Sequence, residues 1–171
     1  MDNIVLIGMP GSGKSTIGVL LAKNLAYQFL DSDLIIQDKI GMKLQEYIDT
    51  YGPDQFSQIE DQINSEIETN HAVIATGGSA VYGKHAMKHF SETAIIVYLR
   101  VSFEALQHRI KNFSSRGIVV PKGETFLDVY NERIPLYERY ADVTVDTEGK
   151  EFWDVVEEMT AAIAEFRQNH S

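Results

Sequence analysis

The sequence of 171 residues contains no cysteine, only four prolines and a single tryptophan. Without cysteine the chain has no disulfide bond, no thiolate metal site and no cysteine nucleophile. No apolar run approaches the roughly 18 to 20 residues that a membrane-spanning helix needs, and the first residues lack the basic segment of a secretory signal. We therefore expect a cytoplasmic protein that does not act at a membrane.

Basic residues are also scarce, because 15 Lys and Arg oppose 25 Asp and Glu for a formal net charge of −10. A surface this acidic repels nucleic-acid phosphates and anionic lipids, so we expect neither as a partner. Taken literally, the same charge disfavours an anionic small ligand, an inference that the motifs below test. The length and the 44% of hydrophobic residues fit a single soluble domain over residues 1–171.

Short apolar runs alternate along the chain with longer amphipathic stretches. The predicted strands are residues 4–7, 28–30, 72–75, 94–99 and 143–145. The predicted helices are residues 14–26, 34–40, 54–68, 102–111, 126–140 and 151–166. Strands that alternate with helices predict an α/β fold of three layers, in which helices cover both faces of a five-stranded, mainly parallel sheet.

Residues 8–15 match the pattern G-x-x-x-x-G-K-[ST] and lie between a predicted strand and a predicted helix. In such a loop, glycines let backbone N–H groups surround phosphate oxygens, and the helix that follows directs its positive end at them. The lysine can reach the β- and γ-phosphates, and the serine hydroxyl can join the shell of Mg²⁺. We therefore predict a nucleotide-binding loop that includes Gly11, Ser12, Gly13, Lys14, Ser15 and Thr16.

The type of nucleotide follows from two patterns that the sequence lacks. No N-K-x-D guanine motif occurs, which disfavours a GTPase. The dinucleotide pattern G-x-G-x-x-G fails because Thr16 stands at the place of its third glycine. ATPases and small-molecule kinases remain.

Two further motifs follow predicted strands, at the end of the sheet where ligands bind in such folds. If the second strand continues through Asp31 and Asp33, their carboxylates lie on one side, where one could hold Mg²⁺ and the other accept a proton. Alternatively, Asp33 caps a helix that begins at Leu34. After the third strand, Gly77 and Gly78 either let backbone amides approach a ligand or make a turn into the next helix.

The segment from residue 112 to residue 125 breaks the alternation of strands and helices. It holds two glycines, a proline, two serines and two basic residues. A loop of this length inside a compact domain is usually functional. We predict a mobile lid over about residues 112–124, and the alternative is a plain surface connection.

Together these motifs resemble the shikimate kinase family, and the resemblance extends over nearly the whole chain. It implies the P-loop kinase fold with a lid, and substrate-binding helices within about residues 33–69. For the residues already named, it implies a magnesium-side role for Asp31 beside Ser15. It also implies a contact of Asp33 with the substrate hydroxyl, where Asp33 is a candidate base, and a substrate pocket lined by Gly77 and Gly78.

The resemblance also implies roles for three arginines. Arg109 matches an arginine that lies over adenine, and Arg116 one that reaches from the lid to the transferred phosphate. Arg133 begins an R-x-P-L-Y motif at residues 133–137, whose arginine holds the substrate carboxylate. The catalytic residues implied are therefore Lys14, Asp33 and Arg116. The alternative for Arg109 and Arg133 is a solvated surface charge, paired for Arg133 with Glu132 or Glu138.

Two departures from the family lie on the acceptor side. The F-R-x-x-E motif is present with Ser57 in place of its arginine, and Ser79 replaces the third pocket glycine. A further one is Gly117, where the lid commonly has a proline. Serine donates one neutral hydrogen bond instead of a charge-assisted bidentate pair, a loss of about 1.5 to 3 kcal/mol in substrate binding.

The expected activity is ATP-dependent phosphoryl transfer to a hydroxyl of a small carboxylated polyol, with Mg²⁺ as cofactor. Shikimate, which would become shikimate 3-phosphate, is the first choice. Arg133 would then carry the carboxylate, aided by Lys84, His85 or Arg139. The alternatives are a gluconate-type kinase with another acceptor and a nucleotide-binding sensor without transfer chemistry. We expect the protein to be a monomer.

Overall fold

Five parallel strands form the sheet of the computed structural model, which describes residues 1–110 and 120–171. In chain order they are β1 (Asn3–Ile7), β2 (Gln28–Asp31), β3 (Ala72–Ala75), β4 (Ala94–Arg100) and β5 (Val143–Asp146). Their order across the sheet is β2-β3-β1-β4-β5, with Ile4 of the central strand opposite Val73 on one side and Ile95 on the other. The predicted α/β class and five-stranded parallel sheet are confirmed.

Eight α-helices accompany the sheet within the described residues. They are α1 (Lys14–Leu25), α2 (Ser32–Ile40), α3 (Leu44–Tyr51), α4 (Pro53–Ser65), α5 (Lys84–Thr93), α6 (Phe103–Arg109), α7 (Phe126–Tyr140) and α8 (Phe152–Asn169), and a 3₁₀ turn covers Ala80–Tyr82. Side-chain caps fix several starts, because Asp31 accepts from the backbone of α2 and Ser102 from that of α6. No helix in these ranges is long and apolar enough to cross a bilayer.

The alternation of side chains along β1 produces the three layers. Ile4 and Leu6 belong to a buried cluster with residues of α1 and α8 on one face. Val5 and Ile7 belong to another cluster with residues of α5 and α7 on the opposite face. A third, smaller cluster joins α2 and α4 beyond the sheet. The layers leave the carboxyl ends of the strands open between α2, α4 and α7.

Three elements were not predicted from the sequence: α3, α5 and the 3₁₀ turn. The α5 sequence has only Ala86, Met87 and Phe90 as buried apolar contacts, so polar residues dominate its pattern. Residues 111–119, which include most of the predicted lid, lie outside the described part of the chain.

Candidate active site

The phosphate loop, residues 8–15, extends from the end of β1 into the first turn of α1, and the predicted lysine is the first residue of that helix. Lys14 is buried, and its Nζ donates to the carbonyl oxygens of Gly8 at 2.7 Å and Met9 at 2.8 Å. Gly13 precedes the helix with a φ of 94°, a conformation that favours glycine. Burial lowers the pKa of Lys14 to about 8, against the opposing influence of Asp33. The lysine therefore stays mostly protonated at neutral pH.

Asp31 connects the phosphate loop to α2. Its Oδ1 accepts a hydrogen bond from the backbone N–H of Asp33 at 3.0 Å, and its Oδ2 accepts one from the Ser15 hydroxyl at 3.3 Å. The helix cap is thus Asp31, and the alternative in which Asp33 caps a helix that begins at Leu34 is wrong. The expectation that Asp31 and Asp33 lie on one side of a continued strand is also wrong. The strand β2 ends at Asp31, and Asp33 lies in the first turn of α2.

Asp33 nevertheless reaches the cleft, where it lies against Gly77. A Cβ placed on Gly77 would be 2.8 Å from Asp33 Oδ1, so a larger residue there would displace this carboxylate. Burial raises the pKa of Asp33 to about 6; Asp31 raises it further and Lys14 opposes the shift. The carboxyl group is therefore ionised for the most part at neutral pH and placed to accept a proton.

Arg133 points into the other side of the same cleft from α7. It is 1% exposed, and its Cζ lies 5.4 Å from the centroid of the Tyr82 ring. A Cβ on Gly78 would be 2.9 Å from Arg133 Nη1. The alternative that Arg133 is a solvated surface charge is therefore wrong; Glu132 instead accepts a hydrogen bond from the Tyr82 hydroxyl at 2.8 Å.

These groups surround one cleft of about 490 Å³ at the carboxyl ends of the strands. Of the predicted site residues, it brings together Gly11, Gly13, Lys14, Ser15, Thr16, Asp33, Gly77, Gly78 and Arg133. Ser12 is buried in the phosphate loop beside Lys14, whose Nζ lies 3.3 Å from its hydroxyl oxygen. Lys84, His85 and Arg139, expected to aid in binding a carboxylate, are exposed and do not line the cleft.

The cleft also contains residues that were not predicted as site residues: Pro10, Leu44, Phe56, Glu60, Thr76 and Ser79. Glu60 is 3% exposed and accepts a hydrogen bond from the Ser79 hydroxyl at 2.7 Å. The signals in the sequence were the F-R-x-x-E motif, to which Phe56 and Glu60 belong, and their spacing, which places both on one face of a helix. Ser57, between them in the chain, does not line the cleft.

The nucleotide side of the phosphate loop carries two exposed side chains. Arg109 Nη1 donates to the carbonyl oxygen of Gly11 at 3.3 Å. Phe152, half-exposed at the start of α8, lies 3.8 Å from the position that a Gly13 Cβ would take. Arg116 lies outside the described residues. Within the described ranges, no group of three or more His, Asp or Glu side chains could hold a metal ion by itself.

Comparison with known proteins identifies the family. A family model described as shikimate kinase matches residues 10–164. The chain belongs to the shikimate kinase family. A shikimate kinase of Thermodesulfovibrio yellowstonii is 36% identical over 152 residues, 87% of each chain. A shikimate kinase of Moorella thermoacetica is 35% identical over 162 residues, 94% of each chain.

Solved structures extend the comparison to the fold. A shikimate kinase from Acinetobacter baumannii in complex with shikimate matches with a TM-score of 0.86 and 28% identity, over 96% of this chain and 94% of that one. A gluconokinase from Sinorhizobium meliloti matches with a TM-score of 0.59 and 18% identity, over 98% and 94% of the two chains, and shares the fold alone. The shikimate kinase assignment therefore rests on sequence as well as on architecture.

Proposed function

We propose that this protein transfers the γ-phosphoryl group of ATP to a hydroxyl of shikimate and so produces shikimate 3-phosphate. The observation that supports this most directly is the convergence of Lys14, Asp33 and a buried Arg133 on one cleft, in a chain of the shikimate kinase family. The relative from Acinetobacter baumannii holds shikimate. A cleft with a phosphate loop at one end and a guanidinium at the other suits a carboxylated acceptor.

In this proposal Lys14 acts on the phosphates of ATP, and Asp33 acts on the hydroxyl of the acceptor. The Lys14 ammonium offers positive charge to the β- and γ-phosphate oxygens, where charge is redistributed in the transition state. Asp33 holds the acceptor hydroxyl by hydrogen bonding and takes its proton as the oxygen attacks phosphorus. Its place beside Gly77 and near Lys14 puts the two roles within one cleft.

Arg133 binds the acceptor carboxylate in this proposal. A guanidinium can form a bidentate, charge-assisted pair with a carboxylate, and burial strengthens such a pair. The Tyr82 ring and the backbone around Gly78 hold the side chain in place. The acceptor is thereby oriented with its hydroxyl toward Asp33 and the phosphate loop.

The Ser15 hydroxyl and the Asp31 carboxylate fit a magnesium ion that accompanies ATP. They are hard oxygen donors in hydrogen-bond contact, and Mg²⁺ takes few protein ligands because it keeps water and phosphate oxygens around it. When bound, the ion would neutralise charge on the β- and γ-phosphates. We assign to Arg116 the contact with the transferred phosphate that the family resemblance implies, and to the lid over about residues 112–124 the exclusion of water from the reaction.

The proposal is tested by measuring ADP release from Mg·ATP with shikimate, with gluconate and with no acceptor. We expect release to depend on shikimate and the product to be a phosphomonoester, with Lys14→Ala as the inactive baseline. Equal rates in all three reactions would contradict the proposal and favour an ATPase or a sensor.

A gluconate-type kinase is the second candidate, favoured by Ser57 and Ser79 at two positions of the acceptor half that differ from the family pattern. Release that depends on gluconate and not on shikimate would support it. The same three reactions therefore decide between the two acceptors.

A further inference from the structure

Glu60 is a buried carboxyl group in the wall of the cleft, and the mechanism above does not use it. It lies on α4 with 3% exposure, and Ser79, the residue that bonds it, is 8% exposed. The Ser79 hydroxyl donates to Glu60 Oε1 at 2.7 Å. Oε2 is buried without a hydrogen-bond partner. A carboxylate buried in this way is costly unless a charge or a proton compensates it.

The charges facing Glu60 come from α2, α7 and its own helix. A Cβ on Gly77 would lie 3.2 Å from Glu60 Oε2 and 2.8 Å from Asp33 Oδ1, so two carboxyl groups converge on one point. Arg133 contributes the nearby positive charge. Asp61, the next residue on α4, is held by His85 at 2.8 Å and by the backbone N–H of Ala86 at 2.7 Å. On the 3₁₀ turn the titratable group is Tyr82, which donates to Glu132.

Other charged groups on the helices packed against α4 lie at the surface, and the half-buried His89 of α5 has its Nε2 at 2.8 Å from the carbonyl oxygen of Ile67. On α2, Lys39 pairs with Glu66. On α3, Glu46 accepts from the backbone N–H of Lys43, and on α5 Lys88 pairs with Glu92. None of these contacts reaches Glu60. The protonation of Glu60 is therefore governed from inside the cleft.

The balance of charge in the cleft depends on whether Glu60 carries a proton. Among the described residues, the charged side chains lining it are Lys14, Asp33, Glu60 and Arg133. With Glu60 ionised, two acids offset two cations and leave no net positive charge for an anionic acceptor. With Glu60 neutral, the net charge is positive. Ser57, three residues before Glu60 on α4, does not line the cleft and adds no cation to it.

The surroundings favour the neutral form. Burial raises the pKa of Glu60 to about 7; the Ser79 hydrogen bond and Arg133 act in the opposite direction, and Asp33 and Asp61 raise it. With Glu60 neutral, the acceptor carboxylate does not compete with a second anion for the Arg133 guanidinium. An ionised Glu60 would compete for that guanidinium and repel the acceptor carboxylate.

We propose that Glu60, held by Ser79, is a specificity-determining residue of the acceptor pocket and that the carboxylate acceptor binds only while Glu60 is in its neutral acid form. This inference rests on the proposed function. It specifies, in addition, that Glu60 must be protonated for the pocket to bind the anionic acceptor. Loss of the proton from Glu60 weakens acceptor binding and leaves the ATP side unaffected.

The test measures KM for shikimate and for ATP between about pH 6 and pH 9. In the wild type, KM for shikimate should rise above about pH 7, approaching a tenfold increase per pH unit, about the limit for binding that requires one proton. KM for ATP should not follow this rise. Glu60→Gln, a neutral isostere, should keep a low KM for shikimate without the rise. Glu66→Gln, the same change at the exposed end of α4, should behave as the wild type.

Ser79→Ala provides an independent variant with Glu60 still present. Because the Ser79 hydroxyl stabilises the ionised carboxylate, its removal should move the rise in KM to higher pH. A wild-type KM for shikimate that is flat over this range would overturn the inference and leave the proposed function intact. A rise that persists in Glu60→Gln, or one that Ser79→Ala moves to lower pH, would also overturn it.

Infrared difference spectroscopy detects the protonated carboxyl group of Glu60 directly, without a measurement of turnover. A protonated-carboxyl band should be present at about pH 6 in the wild type and in Glu66→Gln, fade by about pH 8.5, and be reduced in Glu60→Gln. A band that is identical in Glu60→Gln and the wild type would overturn the inference. Absence of shikimate turnover at every pH would instead contradict the proposed function, and the band would then decide the protonation state of Glu60 by itself.

Discussion

At the scale of single residues, the acceptor side of the cleft depends on two glycines that make room for opposite charges. A Cβ on Gly77 would meet Asp33, whereas one on Gly78 would lie 2.6 Å from the Pro10 ring and 2.9 Å from Arg133. Neither position has a φ in the left-handed region. Their requirement for glycine comes from close approach alone.

Alanine at these two positions should therefore separate two functions. We expect Gly77→Ala to lower kcat at least tenfold, because it displaces Asp33, and Gly78→Ala to raise KM for the acceptor, because it displaces Arg133. Gly41→Ala is the control: its Cβ would meet nothing within 4 Å, and its φ of 70° should cost stability of about 1 kcal/mol without changing the kinetics. Steady-state kinetics with thermal unfolding would check this, and equal effects of both changes on kcat would contradict it.

Ser57 stands where the F-R-x-x-E motif of the family has an arginine, on the side of the site that we assign to the acceptor. Ser57→Arg should lower KM for shikimate by roughly tenfold or more with little change in kcat, because a charge-assisted pair is worth about 1.5 to 3 kcal/mol. Gln58→Arg, an exposed neighbour on the same helix, controls for the added charge. An unchanged or raised KM would mean that the pocket recognises another acceptor.

Residues that belong to local motifs could be predicted from the sequence, and residues defined by distant contacts could not. Lys14 and Arg133 stand in contiguous patterns, and both point into the cleft. Glu60 owes its character to burial and to Ser79, which is 19 positions away along the chain. No local pattern encodes that pairing.

At the scale of secondary structure, the residue that caps α2, Asp31, also contacts the phosphate loop. Asp31 accepts from the backbone of Asp33 with one oxygen and from the Ser15 hydroxyl with the other. The helix therefore cannot begin elsewhere without moving the carboxylate that we assign to magnesium. The predicted boundary at Leu34 was wrong because residues 31–33 also extend the pattern of a strand.

Substitutions of Asp31 should distinguish these two contributions. Asparagine caps helices about as well as aspartate, so Asp31→Asn should unfold close to the wild type but require more Mg²⁺ for half-maximal activity. Asp31→Ala should lose the cap as well, at about 1 kcal/mol. Urea unfolding and magnesium titration provide the two measurements. A magnesium requirement that is unchanged in both variants would contradict the assignment of Asp31.

Two helices show why short elements were missed. In α3, the partly buried residues Leu44, Tyr47 and Ile48 follow helical spacing, but the element has only eight residues. In α5, buried apolar residues are few. Long periodic segments such as α8 were predicted correctly because their pattern repeats over several turns.

At the scale of the whole molecule, the net charge of −10 says little about the cleft. Lys14 and Arg133 are buried there, whereas most acidic residues are exposed. The opening expectation that an acidic chain disfavours an anionic ligand fails for this reason. Charge composition describes the exterior, and the fold decides which charges face a ligand.

Stability should also depend on pH through Glu60. Its pKa rises from 4.5 in the unfolded chain to about 7 in the fold, so the folded protein retains a proton that the unfolded chain releases. This contribution to stability is present below about pH 4.5 and is lost as the pH rises to about 7, by roughly 3 kcal/mol at most.

Glu60→Gln lacks this dependence, so its free energy of unfolding relative to the wild type should increase between about pH 5 and pH 7 and then level off. Urea unfolding at several pH values would measure the difference. Glu66→Gln is again the matched control, since its carboxyl group is exposed. A difference between Glu60→Gln and the wild type that is constant with pH would contradict the assigned pKa.

The position of Phe152 beside the phosphate loop has a practical consequence for optical measurements. The next residue, Trp153, is the single tryptophan of the chain and is 49% exposed. Tryptophan emission therefore reports from one position in the chain, the residue after Phe152. Titration with a nucleotide should change the emission of Trp153, whereas shikimate alone should leave it nearly constant. With that outcome, tryptophan emission would distinguish nucleotide binding from acceptor binding without an added label.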